Sequence, residues 1–321
     1  MNAKTLSVRV NRVVDEAIDI RSFELVSVDE APLPMFEPGS HIDVYIEPGL
    51  MRQYSLCSGP SDRNRYVIAV KKEAQSRGGS TALHARVREG DVLMIGEPRN
   101  NFALDANAKH HTLLAGGIGV TPMLSMAHHL AAAAAPFDLH YFTRSVEHTA
   151  FHQLLSTKDL ARNVHFHYAV EPANLRPYLR KLLWQRPVDG ALYLCGPRPF
   201  MDLVEEVAAP TWPPEAVHLE YFVADPRALA GPQGQFQITL ARSGGTYSVP
   251  AGETITAILA AQGVEVEISC EQGICGTCLT GVLDGIPDHR DAYLTDQEKT
   301  ANNKMTVCVS RALSPLLVLD L

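Results

Sequence analysis

Over residues 1–105 the strand-like runs are Leu6–Val14, Ser22–Val28, His41–Ile46, Gln53–Cys57, Arg65–Val70 and Val92–Glu97. They are short and rich in β-branched and apolar residues. Turn-forming stretches separate them: Glu37-Pro38-Gly39, Gly59-Pro60-Ser61-Asp62 and Glu89-Gly90-Asp91. Many short strands at this spacing predict a small antiparallel β-barrel, interrupted by one helix over Ser80–Val87.

Over residues 106–226 the pattern changes to alternation of strand and helix. Thr112–Ala115 enters a glycine-rich turn, and a helix over Pro122–Ala135 follows. Strands are then expected over Phe137–Phe142, Val164–Tyr168, Ala191–Cys195 and Val217–Phe222. Helices fall between them at Ala150–Leu155, Asn174–Trp184 and Pro199–Val207. Such alternation predicts an α/β domain, a parallel sheet wound on both faces. Residues 225–235 hold Pro226, Gly231, Pro232 and Gly234 without apolar periodicity and read as an interdomain tether, with the linker proper at 227–235. Residues 236–321 form a third, α+β stretch. Its strands are expected over Phe236–Leu240, Tyr247–Val249, Met305–Cys308 and Leu316–Leu319, with a helix near Thr254–Ala261.

Composition narrows the function. The 321 residues are 46% hydrophobic and 20% charged, so the chain has apolar material for cores and is not disordered. A net charge of -8 and the lack of any basic run argue against nucleic acid as a partner. No apolar run approaches the roughly 20 residues of a membrane span. Lys4, Arg9 and Arg12 have no apolar run between them, so the start does not read as a signal peptide, and a cytoplasmic location is expected. Charge is also uneven: residues 236–321 hold ten acidic and five basic side chains.

Four of the six cysteines lie within the last 52 residues. Cys270, Cys275 and Cys278 have the spacing C-x₄-C-x₂-C, and Cys308 follows after 29 residues. That is the plant-type pattern for ligands of a [2Fe–2S] cluster, in which each iron takes two thiolates. Gly273 and Gly276 would let the loop curl and turn its amides toward the sulfurs. A structural zinc site is the alternative, but zinc sites show paired C-x₂-C units and here there is one.

Two turns in the α/β stretch are candidates for ligand contact. Gly116-Gly117-Ile118-Gly119-Val120-Thr121-Pro122 lies between a strand and a helix, with Thr121 placed to cap the helix. Cys195-Gly196-Pro197 ends a later strand, where open α/β sheets bind ligands. In the first stretch, Arg52-Gln53-Tyr54-Ser55 offers a guanidinium, a ring and a hydroxyl. Arg77-Gly78-Gly79-Ser80 precedes the expected helix, and Ser80 could cap it beside a phosphate.

Taken together, R-x-Y-S in a barrel, G-G-x-G-x-T-P opening the next domain, C-G-P later and a C-terminal cysteine loop resemble the ferredoxin–NADP⁺ reductase superfamily. Their order resembles the phthalate dioxygenase reductase family. The resemblance implies an FMN-binding barrel domain over 1–105, an NAD-binding domain over 106–226 and a β-grasp ferredoxin domain over 236–321. Arg52, Tyr54, Ser55, Lys71, Gly79 and Ser80 would contact FMN. Thr121 would lie near flavin and nicotinamide, and Gly116, Gly117, Gly119, Cys195 and Pro197 would line the NADH site. Phe222 would stack on the flavin ring. Cys270, Cys275, Cys278 and Cys308 would hold the cluster. The implied activity is transfer of electrons from NADH through FMN and the [2Fe–2S] cluster to a Rieske oxygenase component, met transiently. A reductase for another acceptor, such as a diiron hydroxylase, and a redox sensor without turnover are the competing functions.

Overall fold

The structure is a computed structural model that describes residues 5–73, 78–157, 159–231 and 233–321. The chain forms two compact units, residues 1–220 and 221–321.

The first unit holds two sheets. One contains β1 (Thr5–Ala17), β2 (Ile20–Ser27), β3 (His41–Glu47), β4 (Leu50–Ser55), β5 (Tyr66–Lys71) and β6 (Val92–Gly96). These pair antiparallel in the order β4-β3-β6-β1-β2-β5. The two edges meet just beyond β4: Leu56 bridges Ile68, and the Cys57 N–H donates to the Val67 carbonyl at 2.7 Å. Alternate side chains fill the interior, with Val8, Phe23, Leu25, Ile42, Leu56, Ile68 and Ile95 fully buried. Each such burial stabilises the fold by about 1.5–3 kcal/mol. The helix α1 (Gly79–Arg86) packs against β3, β4 and β5.

The other sheet contains β7 (His110–Gly116), β8 (Phe137–Thr143), β9 (Val164–Tyr168), β10 (Gly190–Cys195) and β11 (Val217–Glu220). They are parallel, in the order β11-β10-β7-β8-β9. Four helices connect them: α2 (Val120–Ala132), α3 (His152–Leu155), α4 (Pro172–Leu183) and α5 (Arg198–Ala208). Winding reverses between β7 and β10, so the carboxyl ends of these two strands form the crevice where such sheets take ligands. β11 ends at Glu220, two residues before the expected limit.

In the second unit the residues read as linker include the short helix α6 (Pro226–Leu229), capped by the Asp225 carboxylate. Next come β12 (Phe236–Leu240), β13 (Thr246–Val249), α7 (Ile255–Ala261), β14 (Leu279–Asp284), β15 (Pro287–Asp288), α8 (Asp296–Ala301), β16 (Lys304–Thr306), β17 (Arg311–Ala312) and β18 (Leu316–Leu319). The main sheet runs β13-β12-β18-β14-β16, with β12 and β18 parallel, and β15 pairs with β17. Ile238, Val249, Leu259, Met305, Val307, Leu317 and Leu319 form its core. Among the described residues, no helix is long and apolar enough to cross a membrane.

Candidate functional site

Arg52 lies on β4 and Gly79 opens α1, and they touch. A Cβ on Gly79 would come within 3.2 Å of Arg52 Nε and 3.3 Å of its Cδ. Only glycine lets the guanidinium arm run so close to the helix start. The N-terminus of α1 has no side-chain cap, because the cap position is Gly78 at φ 94°. Ser80 therefore does not cap it, contrary to expectation. The helix begins one residue earlier, and the Ser80 hydroxyl instead accepts the Glu73 N–H at 3.3 Å. Glu73 in turn pairs with the exposed Lys71 at 2.7 Å. The arrangement brings two cations, Arg52 and the Glu73-paired Lys71, to a helix N-terminus whose cap residue is a glycine, and can serve as an anion corner. Arg77 lies outside the described residues. Tyr54 is half-buried, packs on the strand core, and has its phenol pushed up by burial.

The two turns singled out in the α/β sheet lie side by side, since Ala115 on β7 is in register with Cys195 on β10. A Cβ on Gly116 would come within 2.9 Å of Pro197 Cδ, and one on Gly119 would collide with the Cys195 carbonyl and the Gly196 nitrogen. These two glycines let the turns pack together. Gly117 differs: its φ is +54° and nothing lies within 4 Å of where a Cβ would be. The space beside it is open. Thr121 is buried and sits inside α2, not at its cap, which is Gly119; its hydroxyl donates to the Ile118 carbonyl at 3.0 Å. The expected capping role is corrected on that ground. β5 lies against the 117–119 turn, so the first sheet approaches this crevice.

One residue here escaped the sequence. Glu220 ends β11 in register with Cys195, and its Oε2 accepts the Ser55 hydroxyl at 3.4 Å. Burial pushes the Glu220 carboxyl up to about 8, and the Ser55 hydroxyl offsets part of this. Burial, reinforced by that neighbouring carboxyl, also keeps Cys195 a thiol. Ser55, Cys195 and Glu220 thus form one cluster of groups that can hold a proton in a crevice. Because the folded value lies above the ordinary 4.5, folded Glu220 keeps its proton near neutrality. Its contribution to stability is complete below the ordinary value and is lost as pH rises through about 8. The melting temperature should fall between pH 5 and 9, and Glu220→Gln should flatten that fall. An unchanged slope in the variant would place the titration elsewhere. Phe222 is half-buried and is the second residue of the second unit.

In the second unit all four expected ligands are buried. Their sulfurs stand in two pairs, Cys270 with Cys275 and Cys278 with Cys308, each in hydrogen-bond contact. The Cys270 contact lowers the Cys275 thiol, and Cys308 lowers Cys278. Loop amides already point at sulfur: Gln272 N–H reaches Cys270 Sγ at 3.3 Å and Thr277 N–H reaches Cys275 Sγ at 3.5 Å. Gly273 and Gly276 both have positive φ, and a Cβ on Gly276 would run into the Tyr293 ring. Two pairs of thiols with loop amides turned toward them fit a binuclear cluster.

Comparison with known proteins agrees with this geometry. Residues 238–313 match the family described as "2Fe-2S iron-sulfur cluster binding domain". The chain is 45% identical to a vanillate O-demethylase oxidoreductase from Pseudomonas sp. (strain HR199 / DSM 7063), over 95% of this chain and 96% of that protein. It is 42% identical to the phthalate dioxygenase reductase of Burkholderia cepacia, over 95% of this chain and 94% of that one. A solved phthalate dioxygenase reductase, described as a modular structure for electron transfer from pyridine nucleotides to [2Fe–2S], superimposes with a TM-score of 0.74 at 40% identity. That match covers 99% of this chain and 98% of the other. The chain belongs to the phthalate dioxygenase reductase family.

Proposed function

We propose that this chain is the NADH-dependent reductase component of a Rieske-type aromatic oxygenase or O-demethylase system. The antiparallel sheet is its FMN barrel, the parallel sheet its NAD-binding domain, and the second unit a β-grasp ferredoxin domain. The observation that carries the reading is the pair of sulfur pairs in a chain whose other unit joins an anion corner to a strand-end crevice. Bound FMN would supply the link between a hydride donor and a one-electron cluster. The protein's own residues do the rest. Arg52, Lys71 and the start of α1 would hold the FMN phosphate. Tyr54 and Ser55 would face the flavin, and Gly117 would leave room for the nicotinamide nucleotide. Flavin released by heat should run as FMN on chromatography; a dominant FAD peak would contradict the anion corner's assignment to a terminal phosphate.

The acceptor is an oxygenase component met transiently, and the acidic ferredoxin domain is the side that meets it. Residues 236–321 hold ten acidic against five basic side chains, including Glu271 in the cysteine loop. Charge steering gives rapid association without tight binding, as repeated turnover requires. The rate of electron transfer to the cognate oxygenase should fall steeply as salt approaches 1 M, where screening shortens to about 3 Å. A flat or rising rate would mean an apolar contact.

A further inference from the structure

The segment after β11 reads as a loose linker from its prolines and glycines, yet side chains of the second unit hold it at three points. Gln272, in the cysteine loop, accepts the Ala224 N–H on Oε1 at 3.0 Å. Arg290 donates from Nη1 to the Leu229 carbonyl at 3.2 Å, while Asp288 Oδ2 takes its Nε at 2.8 Å and Nη2 at 2.6 Å. Arg311 donates from Nη2 to the Gly234 carbonyl at 2.9 Å and the Pro250 carbonyl at 3.0 Å. Its guanidinium also lies over the Phe236 ring, 5.0 Å from the centroid. Both arginines are buried, at 4% and 5% exposure, so the carbonyls of the segment satisfy charges that water does not reach. Gly231 serves the same contact: a Cβ there would come within 3.1 Å of the Arg290 Nη2. At this position glycine marks close packing, not freedom.

The first of these anchors reaches the cluster ligands. Gln272 holds Ala224 with its side chain and donates its own N–H to Cys270 Sγ at 3.3 Å. One residue therefore joins the buried Ala224, two positions after Phe222, to a cysteine of the loop. We infer that the described residues from Ala224 to Gly234 form a strap fastened to the ferredoxin unit. Within it, Gln272 is a positioning residue that ties the strap to the loop amide facing Cys270. A shift of the chain at Ala224 is then felt at a sulfur. The coupling to Cys270 rests on the iron–sulfur reading above; the clamp itself does not.

The test is hydrogen exchange at the Ala224 amide in the full-length holoprotein, with the electron paramagnetic resonance spectrum of the reduced cluster recorded on the same samples. Gln272→Ala should speed exchange at Ala224 about tenfold, the effect of losing one hydrogen bond, with Ile238 in the core unchanged. Gln272→Asn is too short to reach and should behave the same way. Gln272→Glu keeps an acceptor oxygen and should restore protection. The spectrum should change in Gln272→Ala and Gln272→Asn and return in Gln272→Glu, which a merely structural role would not produce. Equal exchange at Ala224 in the wild type and in both shortened variants would overturn the clamp. Faster exchange with an unchanged spectrum would overturn the coupling to Cys270. A wild-type protein without a cluster signal would sink the iron–sulfur reading instead, and the exchange data would still decide the clamp.

Discussion

Replacing Cys275 by serine should remove the [2Fe–2S] cluster and bring NADH-dependent reduction of cytochrome c to background, while NADH still bleaches the flavin. Cys275 is paired with Cys270, and its Sγ already takes the Thr277 N–H at 3.5 Å, so it is placed to act as a cluster ligand. A serine hydroxyl stays protonated and gives up that ligand. The damage should stay local because the cysteines, their core and their glycine cradle belong to residues 221–321, whereas the anion corner and the strand-end crevice belong to residues 1–220. Iron and sulfide analysis, flavin content and the two reduction rates check this. Loss of flavin together with iron would show that the two units do not hold their cofactors independently.

Gly119→Ala should have the second large effect, by a different route. The added methyl would fall on the Cys195 carbonyl and the Gly196 nitrogen, and backbone on both sides leaves no flexible end to yield. Forcing extra volume into such packing costs about 1–3 kcal/mol. The turns at Gly116–Gly119 and Cys195–Pro197 would separate, so KM for NADH should rise about tenfold or more while FMN stays bound, tenfold corresponding to about 1.4 kcal/mol of lost binding. Gly117 supplies the comparison. Its Cβ would meet nothing, and its left-handed φ is one that asparagine tolerates. Gly117→Asn should therefore leave the melting temperature nearly unchanged but weaken NADH binding, because it fills the open space. If Gly119→Ala melts and binds like the wild type, the close packing of the two turns is not what holds the crevice.

Much of this was legible from residue patterns. The six strands of the first sheet and the five of the second fall where short apolar runs and turn residues put them. The cysteine spacing led directly to the sulfur pairs. Other features were hidden for identifiable reasons. β14 is interrupted by Gly281 and has no clean alternation. α8 did carry a signal, the Thr295–Glu298 capping box, in which the Glu298 carboxylate accepts the Thr295 N–H and Thr295 Oγ1 accepts the Glu298 N–H. Ser80 and Thr121 looked like caps because a hydroxyl beside a helix start usually is one, but glycines occupy both cap positions. Glu220 was missed because its partner Ser55 is 165 residues away, a contact that only the folded sheets create. The same holds for Ala224 and Gln272, 48 residues apart.

One chain should take electrons from NADH and deliver them to its own iron–sulfur cluster. Anaerobic addition of NADH to the purified holoprotein, followed by optical and paramagnetic resonance spectroscopy on the same samples, tests it most directly. The flavin absorbance should bleach and the reduced-cluster signal should appear in the same titration, at near one cluster per chain. A bleached flavin beside a cluster that stays oxidised, or no response to NADH in either, would contradict it.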